Sequence, residues 1–272
     1  MVVVSNTLAV FSAFRAWSKG RWLPLSMIAS GVLLLGASGG YYLYAATARS
    51  QLGGLEYAVS AGGPAGATEQ YSRFASLYPG SLVPSLSWDD PRWTDVEDNS
   101  FDVVFDGFVP VDGSGVPEGL GGLTAATRIE IPAIGLGSTV KALEVVNYGD
   151  AWGWETPKDV VGHIPSTSKP GEAGNGYLFG HLQSPIRGEG SVFRNLTNVP
   201  DILRKGQDAY VVLYNEEDTA YLYQIVQTEV VKATDFVIEH SSDATVTLVS
   251  CVPKYVYDHR LLVTAKLVGV RA

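Results

Sequence analysis

The sequence predicts a mostly β protein, a closed barrel or a sandwich of short strands, preceded by one apolar helix. Three observations predict it. From Ala125 onward, short runs alternate apolar and polar residues with the period of two that is typical of strands. The same region has no long helical periodicity, and residues 22–48 contain no charged residue. About seven or eight short strands in roughly 150 residues are typical of antiparallel-rich barrels and sandwiches.

The composition indicates a folded chain with an acidic surface. Of the 272 residues, 46% are hydrophobic and 17% are charged, which is too apolar for a disordered chain. The length fits one core of about 150 residues with extra segments. A net charge of −9 repels phosphate backbones, so we expect no nucleic-acid partner.

Residues 22–48 are predicted to form a single transmembrane signal anchor. As a helix, these 27 residues would span about 40 Å, enough to cross a hydrocarbon core of about 30 Å. Three positive charges precede the segment and one follows it closely, at Arg15, Lys19, Arg21 and Arg49. The positive-inside rule therefore places residues 1–21 in the cytoplasm and the rest of the chain outside the cell membrane.

A cleaved signal peptide is the alternative. Ala46-Thr47-Ala48 resembles a signal-peptidase site of the A-x-A type. The apolar run is longer than the core of an ordinary signal peptide, and we therefore favour the uncleaved anchor.

The remaining chain divides into a linker and a predicted catalytic domain. Residues 49–122 are rich in glycine, which is typical of a flexible tether, and they also contain the aromatic and acidic segment 87–95. Residues 123–272 carry the strand pattern. The strands are predicted at residues 128–131, 138–145, 177–179, 209–214, 220–231, 245–251 and 260–268.

Cys251, the single cysteine, ends one of these strands because Pro253 cannot continue a ladder. One cysteine excludes an intrachain disulfide and a cysteine-based zinc site, and the four scattered histidines neither indicate nor exclude a metal site. The simplest interpretation of Cys251 is a structural one, as a small buried apolar residue. A nucleophile needs a histidine partner and a group that stabilises the oxyanion. His181 closes another strand and Arg260 opens the next one, so the three would converge if these strands are neighbours.

Six motifs from about Thr127 to the C-terminus resemble the sortase family. In the family's order, Ile131-Pro132-Ala133-Ile134-Gly135-Leu136 resembles I-P-x-I-x-L, and Trp154-Glu155-Thr156-Pro157 with Val161-Gly162 resembles W-x-x-P with V-G. Residues 170–181 resemble P-G-x-x-G-N with G-H, and Val192-Phe193-Arg194-Asn195-Leu196 resembles V-F-x-x-L. Thr247-Leu248-Val249-Ser250-Cys251 resembles T-L-x-T-C, and Arg260-Leu261-Leu262-Val263 resembles the arginine-headed final strand. Ser250 replaces a more frequent threonine and keeps the hydroxyl. The Cys-x-Pro-Lys start of the next loop is most similar to classes D and E.

The resemblance implies a sortase-type eight-stranded β-barrel with short helices and a cysteine transpeptidase activity without a cofactor. Cys251 would attack an L-P-x-T-G-like sorting signal of a secreted protein. His181 would act as general acid and then as base, and Arg260 would bind the substrate backbone or the oxyanion. Ser250 and Thr247 would contact the substrate. The amine acceptor would come from a cell-wall precursor or a pilin lysine.

A lid over the site is a further hypothesis. Asp90-Pro91-Arg92-Trp93 loosely resembles the D-P-aromatic lid of pilin-building sortases. Asp90 would face Arg260, and Trp93 would cover Cys251. A surface arm that packs on the barrel is the interpretation we favour.

Two other classes remain as alternatives. An L,D-transpeptidase would carry a Ser-His-Gly-Cys run, and a papain-like peptidase would place its cysteine early, on a helix. A sortase-like surface binding module without catalysis would have no need of Cys251. Substituting Cys251 by alanine therefore separates such a module from an enzyme.

Overall fold

A computed structural model describes residues 6–58, 107–111, 113–116, 121–147, 149, 152–155, 157–183 and 188–272. The chain divides into two compact units, Met1–Gln51 and Leu52–Ala272. Asp90, Trp93 and the segment around them lie outside the described residues, so the lid hypothesis stays a prediction.

The first unit contains one long helix, α1 (Asn6–Ser50), with Pro24 inside it. Pro24–Ser50 is long and apolar enough to cross a membrane, and it starts two residues after the segment predicted from the sequence. Its large apolar side chains are exposed, with Leu35 at 75% and Leu43 at 71%. An exposed apolar surface on a helix of this length fits lipid contact better than a place in a protein core. A signal sequence near the N-terminus has the same composition, so the choice between anchor and signal stays a prediction.

The second unit is a closed barrel of eight strands, as predicted. Twelve strands are described: β1 (Tyr57–Ala58), β2 (Val109–Pro110), β3 (Ala126–Ile131), β4 (Leu136–Ala142), β5 (Val145–Asn147), β6 (Trp152–Trp154), β7 (Val161–His163), β8 (Gly174–Phe179), β9 (Tyr210–Asn215), β10 (Ala220–Lys232), β11 (Ala244–Val252) and β12 (His259–Arg271). The barrel order is β10-β9-β3-β4-β7-β8-β11-β12, and pairing of β12 with β10 closes it.

The barrel is mixed rather than purely antiparallel. β4 pairs with β7 and β8 pairs with β11 in parallel, and the other neighbours in the barrel are antiparallel. β5 and β6 form a separate hairpin. The short helices among the described residues are α2 (Val199–Arg204) and the 3-10 turns Leu52–Leu55, Pro132–Ile134 and Leu196–Asn198.

Alternation along the strands separates a barrel interior from an outer face. In β11 the interior residues include Val246 and Leu248, which are 1% and 0% exposed and belong to the main apolar core. Leu261 and Val263 of β12 belong to the same core. Because successive side chains of a strand point to opposite faces, Cys251 and Arg260 belong to the outer rows of these two strands.

Residues of the predicted linker also pack on the barrel. Leu52 is part of the main core, and β1 pairs with β10. Arg204 of α2 donates hydrogen bonds to the carbonyl oxygens of Gly54 and Glu56, and the Thr228 hydroxyl donates to that of Leu55 at 2.7 Å. The predicted start of the catalytic domain at residue 123 stays a prediction. Residues 52–58, which precede it in the predicted linker, pair with and pack on the barrel.

Candidate functional site

Cys251 is the next-to-last residue of β11 and is half-buried. β11 ends at Val252, directly before Pro253, as the proline predicts. Cys251 therefore lies where the strand reaches the rim of the barrel, with its side chain on the outer face.

Arg260 is the residue directly opposite Cys251 in the antiparallel ladder of β11 and β12. Its Nη1 atom donates to the carbonyl oxygens of Tyr257 and His259, each at 3.0 Å. A guanidinium carries five N–H donors, so these two bonds hold the group in place and leave donors for a ligand.

His181 is brought to the other side of Cys251 by the parallel ladder of β8 and β11. Phe179 pairs with Val249, and two residues further along each chain come His181 and Cys251. The Gly180 N–H donates to the Val249 carbonyl at 3.1 Å, so the chain stays beside β11 up to the residue before His181. Neighbouring strands are about 4.8 Å apart. The three residues predicted from the sequence thus lie at one end of three adjacent strands.

Tyr257 connects the two flanks of this arrangement. Its hydroxyl donates to the carbonyl oxygen of Gln183, two residues after His181, and its own carbonyl accepts from Arg260. Tyr257 adopts a φ of 59°, in the left-handed region that costs a non-glycine residue about 1–2 kcal/mol. Tyr257 could not be identified from the sequence, because no local pattern marks a residue whose hydrogen-bond partner lies in another loop.

Gly180 is required because the space for a side chain is already filled. A Cβ atom on Gly180 would lie 2.5 to 2.7 Å from three ring atoms of Phe193. Phe193 is 0% exposed, and its N–H donates to the His181 carbonyl at 2.9 Å, so the ring has little room to move. Glycine therefore lets the chain before His181 approach Phe193 closely.

Gly180→Ala is expected to destabilise the fold by about 1–3 kcal/mol, because the added methyl overpacks a filled interior. The displaced backbone also carries His181, so activity should fall further than stability explains. Urea unfolding and peptide turnover measure the two effects. Adding Phe193→Leu to Gly180→Ala makes room and should restore part of the activity; a double variant no better than the single one would contradict this account.

The electrostatic environment keeps the Cys251 thiol protonated at rest. Burial raises the pKa of the thiol, and the positive charge of Arg260 lowers it by a smaller amount. The net direction is upward from the ordinary value, so at neutral pH a base must remove the proton for the sulfur to act as a nucleophile.

The two predicted substrate-binding residues differ in position. Ser250 is 2% exposed, and its hydroxyl donates to the Gly180 carbonyl at 2.9 Å. This bond ties β11 to the residue before His181 and does not favour direct contact of Ser250 with a substrate. Thr247 is also buried, at 3% exposure, but it lies on the outer face and lines a cavity, with its hydroxyl donating to Asn175 Oδ1 at 3.0 Å.

The cavity has a volume of about 300 Å³ and lies on the outer face of the barrel. Its floor comes from alternate residues of four strands, which are Asn175 and Tyr177 of β8, Thr245 and Thr247 of β11, Leu262, Thr264 and Lys266 of β12, and Gln227, Glu229 and Val231 of β10. Its remaining wall comes from residues 235–243 of the loop between β10 and β11. Thr245 could have been predicted from the sequence to lie on the same face as Thr247, because the two residues are two positions apart on β11.

Aromatic side chains hold this loop over the sheet. The Tyr177 hydroxyl accepts a hydrogen bond of 2.8 Å from the N–H of Glu239. The ring of Phe236 packs edge-on against Tyr177 and Phe179, with centroid distances of 6.1 and 6.0 Å. These contacts fix the loop that forms one wall of the cavity.

Among the described residues, no group of three or more His, Cys, Asp or Glu side chains could hold a metal ion. The cofactor-free mechanism implied by the resemblance stays a prediction.

The solved structures to which the chain is similar include several sortases. Sortase C1 from Streptococcus agalactiae is 25% identical, with a TM-score of 0.39; the match covers 52% of this chain and 66% of that chain, just under two thirds. The sortase D5 transpeptidase from Clostridium perfringens is 26% identical, with a TM-score of 0.38 and coverage of 53% and 79%. A lid mutant of sortase A from Corynebacterium diphtheriae is 18% identical, with a TM-score of 0.39 and coverage of 54% and 72%.

No curated protein sequence matches the chain. A sortase domain matches residues 129–268. This match includes all three residues at the end of the adjacent strands, Cys251, His181 and Arg260. It spans more than half of the chain, and the chain therefore belongs to the sortase family, a family of cysteine transpeptidases.

Proposed function

We propose that this protein is a membrane-anchored transpeptidase that cleaves an L-P-x-T-G-like sorting signal and transfers the secreted protein to an amine acceptor. One observation carries the proposal. Arg260 lies opposite Cys251 in the antiparallel ladder, and the parallel ladder that ends at Phe179 and Val249 leads His181 to the same strand end. A nucleophile, an acid–base group and a cation that can stabilise an oxyanion at one strand end are suited to acyl transfer.

In the first half-reaction, the Cys251 sulfur attacks the carbonyl carbon before the scissile bond. The thiol proton passes to His181, and the imidazolium then gives a proton to the leaving amine as the C–N bond breaks. A thioester on Cys251 remains. In the second half-reaction, a primary amine attacks the thioester while His181 takes its proton, and the thiol is restored.

Arg260 stabilises the negative charge that develops on the carbonyl oxygen in both half-reactions. Its guanidinium is held at the rim by the carbonyl oxygens of Tyr257 and His259, so little reorganisation is needed when the oxyanion forms. We assign Ser250 a positioning role, because its hydroxyl fixes the backbone before His181. Thr247 remains our candidate for substrate contact from the cavity floor.

The finer assignments rest on the sequence. The Cys-x-Pro-Lys segment from Cys251 to Lys254 supports class D or E, and either a cell-wall precursor or a pilin lysine could supply the amine. The charge pattern around α1 supports a cytoplasmic N-terminus and an extracytoplasmic catalytic domain.

Intact mass spectrometry of the full chain in detergent tests the proposal. The chain is mixed with L-P-x-T-G-like and L-A-x-T-G-like peptides, with and without triglycine. We expect a thioacyl adduct on Cys251 without the amine and an amine-exchanged peptide with it. Both products should be absent from the Cys251→Ala variant; exchange that persists in that variant would contradict the mechanism.

A further inference from the structure

Tyr257 uses three polar groups to join the loop between β11 and β12 to the residues around Cys251. Its N–H donates to the Pro253 carbonyl at 2.9 Å, which closes a turn directly after the strand of the proposed nucleophile. Its carbonyl accepts from Arg260, and its hydroxyl donates to the carbonyl of Gln183, 74 positions earlier in the chain. One half-buried residue thus contacts both flanks of the proposed site.

The imidazole of His181 depends on the backbone for its placement. In the part of the chain that the structure describes, no group forms a hydrogen bond or an ion pair with this ring. A catalytic base is commonly oriented by a third group that binds its second nitrogen. Because no described residue does so for His181, the position of the ring follows from the points at which the neighbouring backbone is held.

The backbone is held on both sides of His181. Before it, the Gly180 N–H donates to β11 at 3.1 Å, and at the residue itself the carbonyl accepts from the Phe193 N–H at 2.9 Å. After it, the Gln183 carbonyl accepts from the hydroxyl of Tyr257. Of these three bonds, the one from Tyr257 is made by a side chain, so a substitution can remove it without changing any backbone group.

The backbone conformation of Tyr257 also favours a role for its side chain. A φ of 59° lies in the left-handed region, which glycine adopts freely and which tyrosine adopts only against a steric cost. Residues held in such conformations cluster at functional sites. Glycine would keep the turn but would have no hydroxyl for Gln183. The presence of tyrosine therefore points to the bond that its hydroxyl makes.

We propose that Tyr257 is a positioning residue that holds His181 at a fixed separation from Arg260 across Cys251. Both groups act on the same tetrahedral intermediate, His181 on the proton and Arg260 on the oxyanion, and both lose effect steeply when displaced. The inference rests on the proposed function and deepens it, because it assigns to the same step a residue that does not touch the substrate.

Tyr257→Phe in the full chain in detergent tests the proposal, because it removes one O–H and keeps the ring and both backbone hydrogen bonds. We expect kcat for amine exchange to fall about tenfold with KM unchanged, since a displacement of about 1 Å can cost about 10²-fold. The pH midpoint of Cys251 alkylation should not move, because the bond between the residue 257 carbonyl and Arg260 remains.

A double-mutant cycle measures whether Tyr257 acts through His181. In the His181→Ala background the group to be positioned is absent, so Tyr257→Phe should lower the rate of thioacyl formation by less than about twofold. An equal loss in both backgrounds would show that the hydroxyl acts independently of His181 and would overturn the inference. An unchanged kcat in the single variant would overturn it as well.

Deuterium uptake at the backbone gives a readout that needs no turnover. The amides of Gly180 and Phe193, which hold the chain at His181, should take up deuterium faster in Tyr257→Phe than in the unmodified chain. Equal uptake would contradict the positioning role.

Tyr214→Phe is the matched control for both measurements. It removes a tyrosine hydroxyl of β9 that donates to Glu130 at 3.3 Å, and it should change neither kcat nor uptake at these two amides. Faster uptake in Tyr257→Phe, with no exchanged peptide from the unmodified chain, would support the positioning role and contradict the proposed function. Turnover by the unmodified chain that Tyr257→Phe does not slow would contradict the inference alone.

Discussion

His181→Ala is expected to lower kcat/KM for amine exchange by about 10²–10⁴-fold, the usual contribution of a general acid–base group. No other side chain with that role lies on β8 or β11 next to Cys251: the adjacent residues on the same row are Phe179 and Val249. Without His181, no other described side chain on β8 or β11 beside Cys251 can exchange a proton with the leaving amine or the thiol. Chromatographic separation of the exchanged peptide measures the loss.

The fold of the His181→Ala variant must be intact for this result to be meaningful. Because the substitution removes a half-buried ring at the rim rather than a core residue, the melting temperature should change little. Cys251 should still react with a small alkylating reagent at high pH. Turnover within threefold of the unmodified enzyme would show that another group transfers the proton.

Arg260→Ala is expected to lower kcat/KM by about 10²–10³-fold, as removal of an oxyanion donor does. It should also change the chemistry of the thiol. The positive charge of Arg260 lowers the pKa of Cys251 against the larger effect of burial, so removing that charge raises the pKa further. At a fixed pH below the pKa, less thiolate is present and alkylation slows.

The alkylation rate of Cys251 against pH measures this shift directly. In the unmodified enzyme the rate should still be rising above the ordinary thiol pKa, and in Arg260→Ala the midpoint should lie higher. Arg260→Lys keeps the charge and should retain most of the lower midpoint, while losing the planar fork that reaches both Tyr257 and His259. A midpoint that does not move in Arg260→Ala would contradict the proposed charge interaction.

Much of the barrel could be predicted from the sequence because its strands alternate with a period of two. The predicted strand 220–231 is β10 almost to the residue, and 245–251 falls inside β11. β7 was not predicted, since three residues that are all buried show no alternation. The parallel pairing of β8 with β11 also could not be predicted, because periodicity identifies strands but not their partners.

In the candidate site, too, local features could be predicted from the sequence, whereas contacts between distant segments could not. Pro253 indicates that Cys251 lies at a strand end, and the motifs supplied His181 and Arg260. That these residues lie side by side depends on ladders between segments distant in the chain. The placement of Ser250 was less well predicted, since its hydroxyl binds the Gly180 carbonyl, and no local pattern shows such a contact.

The strand order also has a consequence for how activity arises as the chain folds. The Ser250–Gly180 hydrogen bond joins residues 70 positions apart, and β12 pairs with both β10 and β11. Contacts this distant in sequence form slowly, because a long loop must be closed before they contribute. Because β12 is the last of the described strands in the chain, Cys251 has no arginine opposite it until β12 has been synthesised and paired. The proposed site is therefore completed in one late step rather than built up as each strand is added.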